Sequence, residues 1–463
     1  MAGGQKPLPV SISELHFPSS EQPNLSHILS SLRRSTLSIP NRLRSIESDS
    51  HFAQHVAEVY GLPLVANERC GSWYIPPELK AGSAYFKSTD GHAGQWDFSL
   101  RRLNLQVLDI IREHGGCVIV DSTRRGKSMP DALSKTVPIW CAVMNRALFP
   151  ERQSFHNAQF PPDFLGRSEE SQIESRIDRF VASLKTLKLN LDESKTRLGK
   201  PIRLTWASRE YMWPEYSGAD GRDDFHVVVL CSASKRVHGA EMSEGGYIQG
   251  AGDDSEAWAQ GLTPTVFWEN KPALFGTNEE ELPQLIKELL ELHRQKQSIE
   301  KATLIMPTRN LYLGRTGATS ADTVEQFDLL VSCNGEAKLA TMTDGKAKSL
   351  NLGCPAGKLG SRHLRKVLPK VEQFVSAHMK STSCQPLLVT CETGKDLSVG
   401  TILTILCLFY DDAGNFTGSR RAEPVDKEYI RQRFAWIVSS KQDANPSRST
   451  LQSVNSYLME RPG

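Results

Sequence analysis

Apolar residues fall along this chain in two patterns. Short solid blocks (Cys117-Val118-Ile119-Val120, Val227-Val228-Val229-Leu230-Cys231, Leu387-Leu388-Val389) show no polar alternation. Such blocks predict strands buried on both faces of a sheet. Between them apolar residues recur at helical spacing, as in Leu103, Leu105, Val107, Leu108 and Ile111 before Gly115-Gly116, in Ile139, Ala142, Val143 and Met144, and in Thr401 to Leu406. Asn24 to Tyr60 reads as two helices broken near Pro40, and Arg362 to Met379 as a helix kinked at Pro369. Strands alternating with helices predict an α/β protein. The expected organisation is a flexible N-terminus over 1–22, an N-terminal α/β domain over 23–278, a charged linking helix over 279–301 around Leu282, Leu285, Leu289, Leu290 and Leu292, and a second α/β domain over 302–463.

The bulk numbers narrow the picture little. A chain of 463 residues with 39% hydrophobic and 23% charged content is an ordinary globular protein of several domains. A net charge of +2 means that any nucleic-acid footprint is local. Local basic groups exist at Arg33, Arg34, Arg42 and Arg44, at Arg101 and Arg102, and at Arg362, Arg365, Lys366 and Lys370; the plain reading of each is a solvated helix face. Nine cysteines without a Cys-x-x-Cys pair exclude a disulfide framework and a zinc site and fit a reducing compartment, so the expected location is cytoplasmic. No signal pattern and no membrane-spanning run is present, and no membrane partner is expected.

Four stretches carry chemistry. In Val120-Asp121-Ser122-Thr123-Arg124-Arg125-Gly126-Lys127-Ser128 a strand delivers an acid, hydroxyls and three cations into one loop. That set suits a polyphosphate: Arg supplies forks, Lys a point charge. A Walker A loop is a poor match, because Asp121 stands where its first glycine belongs and Met129-Pro130 interrupts the expected helix. The second stretch, Lys87-Ser88-Thr89-Asp90-Gly91-His92, is either a plain turn or a loop that presents His92 as an acid or base. The third, Gly245 to Trp258, sets Asp253, Asp254 and Glu256 beside a glycine run. Asp254 or Glu256 could bind magnesium, although spacing favours capping of the helix that carries Trp258.

The fourth is Cys391-Glu392-Thr393-Gly394-Lys395-Asp396-Leu397-Ser398, between an apolar strand and a helix. Backbone N–H groups at such a junction point at a common centre and suit a phosphate, and a cysteine facing them becomes a low-pKa thiolate. The layout resembles the Cys-x5-Arg loop of dual-specificity phosphatases, and residues from about 300 to 463 resemble a whole domain of that kind. Yet Leu397 stands at the arginine position, Thr390 where a histidine precedes the cysteine, and the upstream Cys354-Pro355-Ala356-Gly357-Lys358 has no acid. Without its clamp and its acid a phosphatase does not turn over; an inert binding or scaffolding domain is the expectation.

Tyr85-Phe86-Lys87-Ser88-Thr89-Asp90-Gly91-His92, Asp121 to Lys127, Tyr247-Ile248-Gln249-Gly250-Ala251-Gly252-Asp253-Asp254 and Cys391 to Ser398, in this order, resemble the initiator tRNA phosphoribosyltransferase family of fungi and plants. The resemblance implies transfer of ribose 5-phosphate from 5-phosphoribosyl 1-pyrophosphate to the 2′-hydroxyl of a T-stem adenosine of initiator methionine tRNA, with no DNA partner. Under that reading Arg124, Arg125 and Lys127, helped by Mg2+, neutralise the departing pyrophosphate. Asp121 is the first candidate base and His92 the second. Lys87, Asp90, Gly91, Ser122, Thr123 and Gly126, with Cys391, Glu392, Thr393, Gly394, Lys395, Asp396 and Ser398, are the expected substrate-binding set. The alternatives are a phosphatase, a nucleotide kinase on the Asp121–Ser128 loop, and a pseudophosphatase-type phosphate- or RNA-binding module.

Overall fold

The computed structural model describes residues 38–124, 126–210, 224–237, 246–296, 302–316, 326–334, 348–355, 357–379, 385–441 and 443–459. Arg125 and the helix expected before Pro40 lie outside the described residues.

The first domain opens with α1 (Ile39–Tyr60). Ser38 caps it by accepting the Asn41 N–H at 3.4 Å, Pro40 sits in its first turn, and Gly61 ends it in the left-handed conformation. Pro40 therefore starts a helix. Strands β1 (Leu64–Asn67), β2 (Lys80–Ala84), β3 (Gly116–Asp121), β4 (Ile202–Ala207) and β5 (His226–Ser232) form one sheet in the order β2-β1-β3-β5-β4, every pair parallel. Alternation inside the apolar blocks divides the residues between two cores. Val65, Ile119 and Leu230 face α2 (Leu105–His114), α3 (Val137–Leu148), α4 (Arg167–Glu174), α5 (Ile177–Lys185) and α6 (Leu191–Leu198). Ala66, Val118, Val120 and Val229 face α1 and the helices α7 (Ser255–Trp258), α8 (Pro264–Glu269), α9 (Lys271–Gly276) and α10 (Leu282–Lys296). Burial on both faces explains why these strands read as solid apolar runs.

The expected linking helix is corrected here. Leu282, Leu285, Ile286, Leu289 and Leu290 of α10 pack into the first domain's core, so this helix closes that domain.

The second sheet, β6 (Thr303–Leu304), β7 (Leu311–Arg315), β8 (Leu329–Asn334), β9 (Lys348–Cys354) and β10 (Leu387–Cys391), has the order β6-β7-β10-β8-β9, with only β6 antiparallel. Helices α11 (Gly357–His378), α12 (Leu397–Phe409), α13 (Lys427–Ser440) and α14 (Arg448–Leu458) cover the face that carries Leu387, Val389 and Cys391. Every residue of α12 is buried, as expected of a helix apolar all round. Pro369 lies inside α11 without ending it. The domains touch where Ala435 of α13 joins the first core and Gln432 Nε2 donates to the Thr186 carbonyl at 3.0 Å. No helix among the described residues is long and apolar enough to cross a membrane.

Candidate functional site

From β1 the chain moves to β2 on one side, then crosses to β3 on the other, so the strand order reverses between β1 and β3. The crevice beyond their C-terminal ends is where open parallel sheets bind ligands. Asn67 and Asp121 end those strands, and both are fully buried. Asn67 Nδ2 donates to Asp121 Oδ2 at 2.7 Å and its Oδ1 accepts the Phe86 N–H at 2.7 Å, which joins the ends of β1, β3 and the segment after β2. Arg69 donates to Asp121 Oδ2 at 3.2 Å and Oδ1 at 2.9 Å, and to Asp253 Oδ2 at 3.2 Å. The Cys70 thiol and the Ser122 N–H complete the set on Asp121 Oδ1, at 3.0 and 2.7 Å. Burial lowers the Arg69 pKa, but the carboxylates of Asp121 and Asp253 outweigh it and hold the guanidinium firmly protonated. Burial raises the Asp253 pKa against the pull of Arg69.

The loop after Asp121 is stapled by Gln249. Its Oε1 accepts the N–H of Gly126 at 3.3 Å and of Val237 at 2.9 Å; its Nε2 donates to the carbonyls of Arg124 at 3.1 Å and Lys127 at 2.7 Å. Gly250 has φ +67°, and a Cβ there would lie 2.7 Å from the Thr123 carbonyl oxygen, so only glycine lets the two loops meet. Arg124 and Lys127 point outward, 66% and 59% exposed, and pair with Asp254 and Asp131. The Arg124–Asp254 pair is exposed on both sides and worth little in water, and Lys127 shares Asp131 with Lys135, so both cations can turn to an anionic ligand.

The Lys87–His92 run forms a short turn brought to the same place. The Thr136 hydroxyl donates to the Lys87 carbonyl at 2.8 Å, and a Cβ on Gly91 would lie 2.7 Å from the Asp131 carbonyl oxygen. His92 Nε2 stands 3.8 Å from Asp131 Oδ2, whose carboxylate also meets Lys127 and Lys135, each at 3.3 Å. Two motifs separated in sequence thus converge on one carboxylate. Burial raises the pKa of Asp90, opposed by Lys87.

In the second domain Cys391 ends β10 with its sulfur 3.0 Å from Ser398 Oγ and 3.6 Å from Thr393 Oγ1. Burial pushes the thiol pKa up, yet the Ser398 hydroxyl, the Ser398 and Asp396 backbone groups and the Thr393 hydroxyl bring it below the ordinary value. Asp396 turns its carboxylate away to accept the Ser447 N–H at 2.8 Å and the Thr450 hydroxyl at 2.6 Å, which ties the loop to α14. Gly394 makes the turn at φ +65°, Arg315 Nε donates to the Glu392 carbonyl at 3.0 Å, and Lys395 Nζ lies 3.1 Å from Asp443. Leu397 is 9% exposed and packs into the domain core, so nothing clamps a phosphoryl group from the arginine position.

Asp121, the first candidate base, is 0% exposed and receives five hydrogen bonds. Asp254 pairs with exposed Arg124, and Glu256 is exposed; no metal-holding group of His, Cys, Asp or Glu occurs among the described residues. Asp254 holds the N-cap position of α7 without capping it through its side chain. The residues that sequence reading missed are Asn67, Arg69, Asp253 and Gln249. The end of β1 carried the signal for the first two, a polar run Asn67-Glu68-Arg69 after Leu64-Val65-Ala66.

Residues 32–291 match the family described as Rit1 N-terminal domain, and residues 348–458 the one described as Rit1 DUSP-like domain. A Schizosaccharomyces pombe protein, itself uncharacterized, is 37% identical over 90% of this chain and 94% of its own. The tRNA A64-2′-O-ribosylphosphate transferase of Saccharomyces cerevisiae is 33% identical over 94% of this chain and 95% of its own. Among solved structures, the Yvh1 phosphatase domain from Chaetomium thermophilum is 18% identical, covers 34% of this chain and 94% of its own, and has a TM-score of 0.28.

Proposed function

The chain belongs to the Rit1 family, and from that premise we propose that it transfers ribose 5-phosphate from 5-phosphoribosyl 1-pyrophosphate to the 2′-hydroxyl of a T-stem adenosine of initiator methionine tRNA, which keeps that tRNA from elongation. The observation that carries this reading is similarity along nearly the whole chain to the Saccharomyces cerevisiae tRNA A64-2′-O-ribosylphosphate transferase. The switch-point crevice supports it chemically.

In the reaction the bond from C1 of the ribose to pyrophosphate breaks, a bond from C1 to the 2′-oxygen forms, and the hydroxyl proton leaves to a base. The donor lies over the Asp121–Lys127 loop. Arg124 and Lys127 neutralise the departing pyrophosphate; Arg125, outside the described residues, is a third candidate from sequence alone. Mg2+ arriving with the donor would add to that neutralisation. Gln249 fixes the loop that carries these cations, accepting the Gly126 N–H and donating to the Arg124 and Lys127 carbonyls. Of the two candidate bases, His92 is 48% exposed and can meet a hydroxyl, with Asp131 orienting the ring. Asp121 positions the loop through Arg69 and Ser122.

A module that only binds phosphate or RNA is the second reading. Leu397 in the core favours it for the second domain alone, as a binding unit within a transferase. The cysteines among the described residues are free, which suits the cytoplasmic location we assign.

The test is to incubate the full chain with donor labelled in its 5-phosphate and unmodified initiator tRNA. Label is expected in the RNA, with one pyrophosphate released per label. Donor hydrolysis with unlabelled RNA contradicts the reading.

A further inference from the structure

A cleft of about 710 Å³ lies between the two domains. Lys80, Tyr85 and Arg102 line it from the first domain; Lys395, Lys441 and Asn445 from the second. The walls are polar, with cations on both sides. The Arg102 guanidinium lies 4.2 Å from the Tyr85 ring centre and donates to the Asn445 side chain, while the Asn445 N–H donates to the Lys395 carbonyl at 2.9 Å. A continuous series of contacts therefore joins Tyr85, two residues before Lys87, to the Cys391 loop. On the first domain the lining reaches Tyr85, two residues before the turn that carries His92; on the second it reaches Lys395 of the Cys391 loop.

We propose that this cleft is the docking groove for one strand of the acceptor RNA, and that the Cys391 loop holds a phosphodiester of that strand and not the donor's phosphates. The proposal rests on the transfer reading and assigns a partner to each of its two anion loops. Three observations carry it. The first-domain loop already supplies outward cations for a polyphosphate, at Arg124 and Lys127. The Cys391 loop supplies fewer: Leu397 is buried, and a loop without a guanidinium fork suits a singly charged diester better than a dianion or a pyrophosphate. Finally, two lysines of the cleft sit in half-exposed pairs, Lys395 with Asp443 at 3.1 Å and Lys80 with Glu68 at 3.3 Å, the latter also donating to Ser72 at 3.2 Å. Exchange of such partners for phosphates releases counterions from the RNA and favours binding.

The same surface continues onto α11. A Cβ at Gly360 would lie 3.4 Å from Leu397 Cδ1, so the first turns of α11 abut the loop, and Lys358, Arg362, Lys366 and Lys370 on that helix are exposed. A cleft of this volume takes a single backbone, not a duplex. A stem seated by one strand keeps its wide minor groove, where 2′-hydroxyls are displayed, open to the first domain.

The experiment measures two affinities of the full chain: for unmodified initiator tRNA without donor, across a salt series, and for labelled 5-phosphoribosyl 1-pyrophosphate without RNA. The double variant Lys80→Gln with Lys395→Gln is expected to bind tRNA about tenfold more weakly, with the salt slope reduced by about one to two, and to bind donor within twofold of wild type. Lys127→Ala is expected to do the reverse. A thermal melt matching wild type excludes misfolding, and Lys395→Arg should restore part of the RNA affinity. Lost donor binding with intact tRNA binding would place the donor on the Cys391 loop and overturn the proposal. Unchanged tRNA binding, or loss of both ligands at an unchanged melting temperature, also overturns it. Failure of the transfer reading is seen separately, as wild-type protein that binds tRNA but passes no label.

Discussion

Arg69 grips Asp121 with two hydrogen bonds, Nε to Oδ2 at 3.2 Å and Nη2 to Oδ1 at 2.9 Å, across the point where the first sheet reverses its strand order. The same guanidinium reaches Asp253 at 3.2 Å, so one cation serves two buried carboxylates from separate segments. Arg69→Ala strands both. Removing one partner of a buried ion pair costs about 3–5 kcal/mol, and denaturant unfolding should show a loss of that order. Arg69→Lys should recover little, because an ammonium cannot form the fork. A lysine variant as stable as wild type would mean that the fork is unimportant.

His92 offers the opposite case, a group with a role in chemistry and little in stability. His92→Ala should lower kcat by about 100- to 10,000-fold, with the donor KM within threefold and the melting temperature unchanged. Asp131→Asn should cause a smaller loss, since it acts through the ring. Single-turnover assays on both variants check this; wild-type kcat in His92→Ala would move the base elsewhere.

Gln249 holds the donor loop through four hydrogen bonds to its backbone and to Val237. Gln249→Ala leaves those groups without partners and the cradle loose. The donor KM should rise about tenfold, equivalent to about 1.4 kcal/mol, while tRNA affinity holds. Equal loss of both would indicate general unfolding of the site.

Sequence alone revealed the α/β class because the sheets are buried on both faces, and solid runs such as Val227–Cys231 have no other ready explanation. It revealed the Asp121–Lys127 and Lys87–His92 loops because cations and glycines cluster there. It did not reveal that Thr136 and Asp131 bring those loops together, since that contact depends on tertiary packing. Asp121 looked like a base because an acid at a strand end is visible in sequence, whereas its five donors come from four residues, three of them in the Asn67–Cys70 segment. Asp253 was passed over for Asp254 because burial separates adjacent residues by the direction of their side chains, which composition does not record. The charge of the 279–301 helix suggested a linker; Leu282 and Ile286 nonetheless pack into the first domain's core.

Leu397 gives a test of the phosphatase-like domain. Leu397→Arg places a charge in a packed core, so it should destabilise the protein by several kcal/mol and produce no hydrolysis of aryl phosphates, because no acid stands upstream. Robust hydrolysis would contradict the binding role.

Cys391 predicts a pH dependence whose sign follows from its environment. Its folded pKa lies below the ordinary thiol value of 9.0. The folded state therefore releases the proton first, and the stabilisation is present above the unfolded pKa and lost as pH falls through the folded one. The stability difference between wild type and Cys391→Ser should grow as pH rises towards 9.0 and level off above it. Urea titrations at a series of pH values check this, and a difference flat in pH would mean that the thiol is not perturbed.

The central claim is that the acceptor is one 2′-hydroxyl of a T-stem adenosine. The direct measurement uses initiator tRNA carrying 2′-deoxyadenosine at that single position, with labelled 5-phosphoribosyl 1-pyrophosphate and the full chain. The account predicts label in the unsubstituted tRNA and none in the deoxy tRNA, with both RNAs bound at similar affinity. Equal labelling of the two would contradict it.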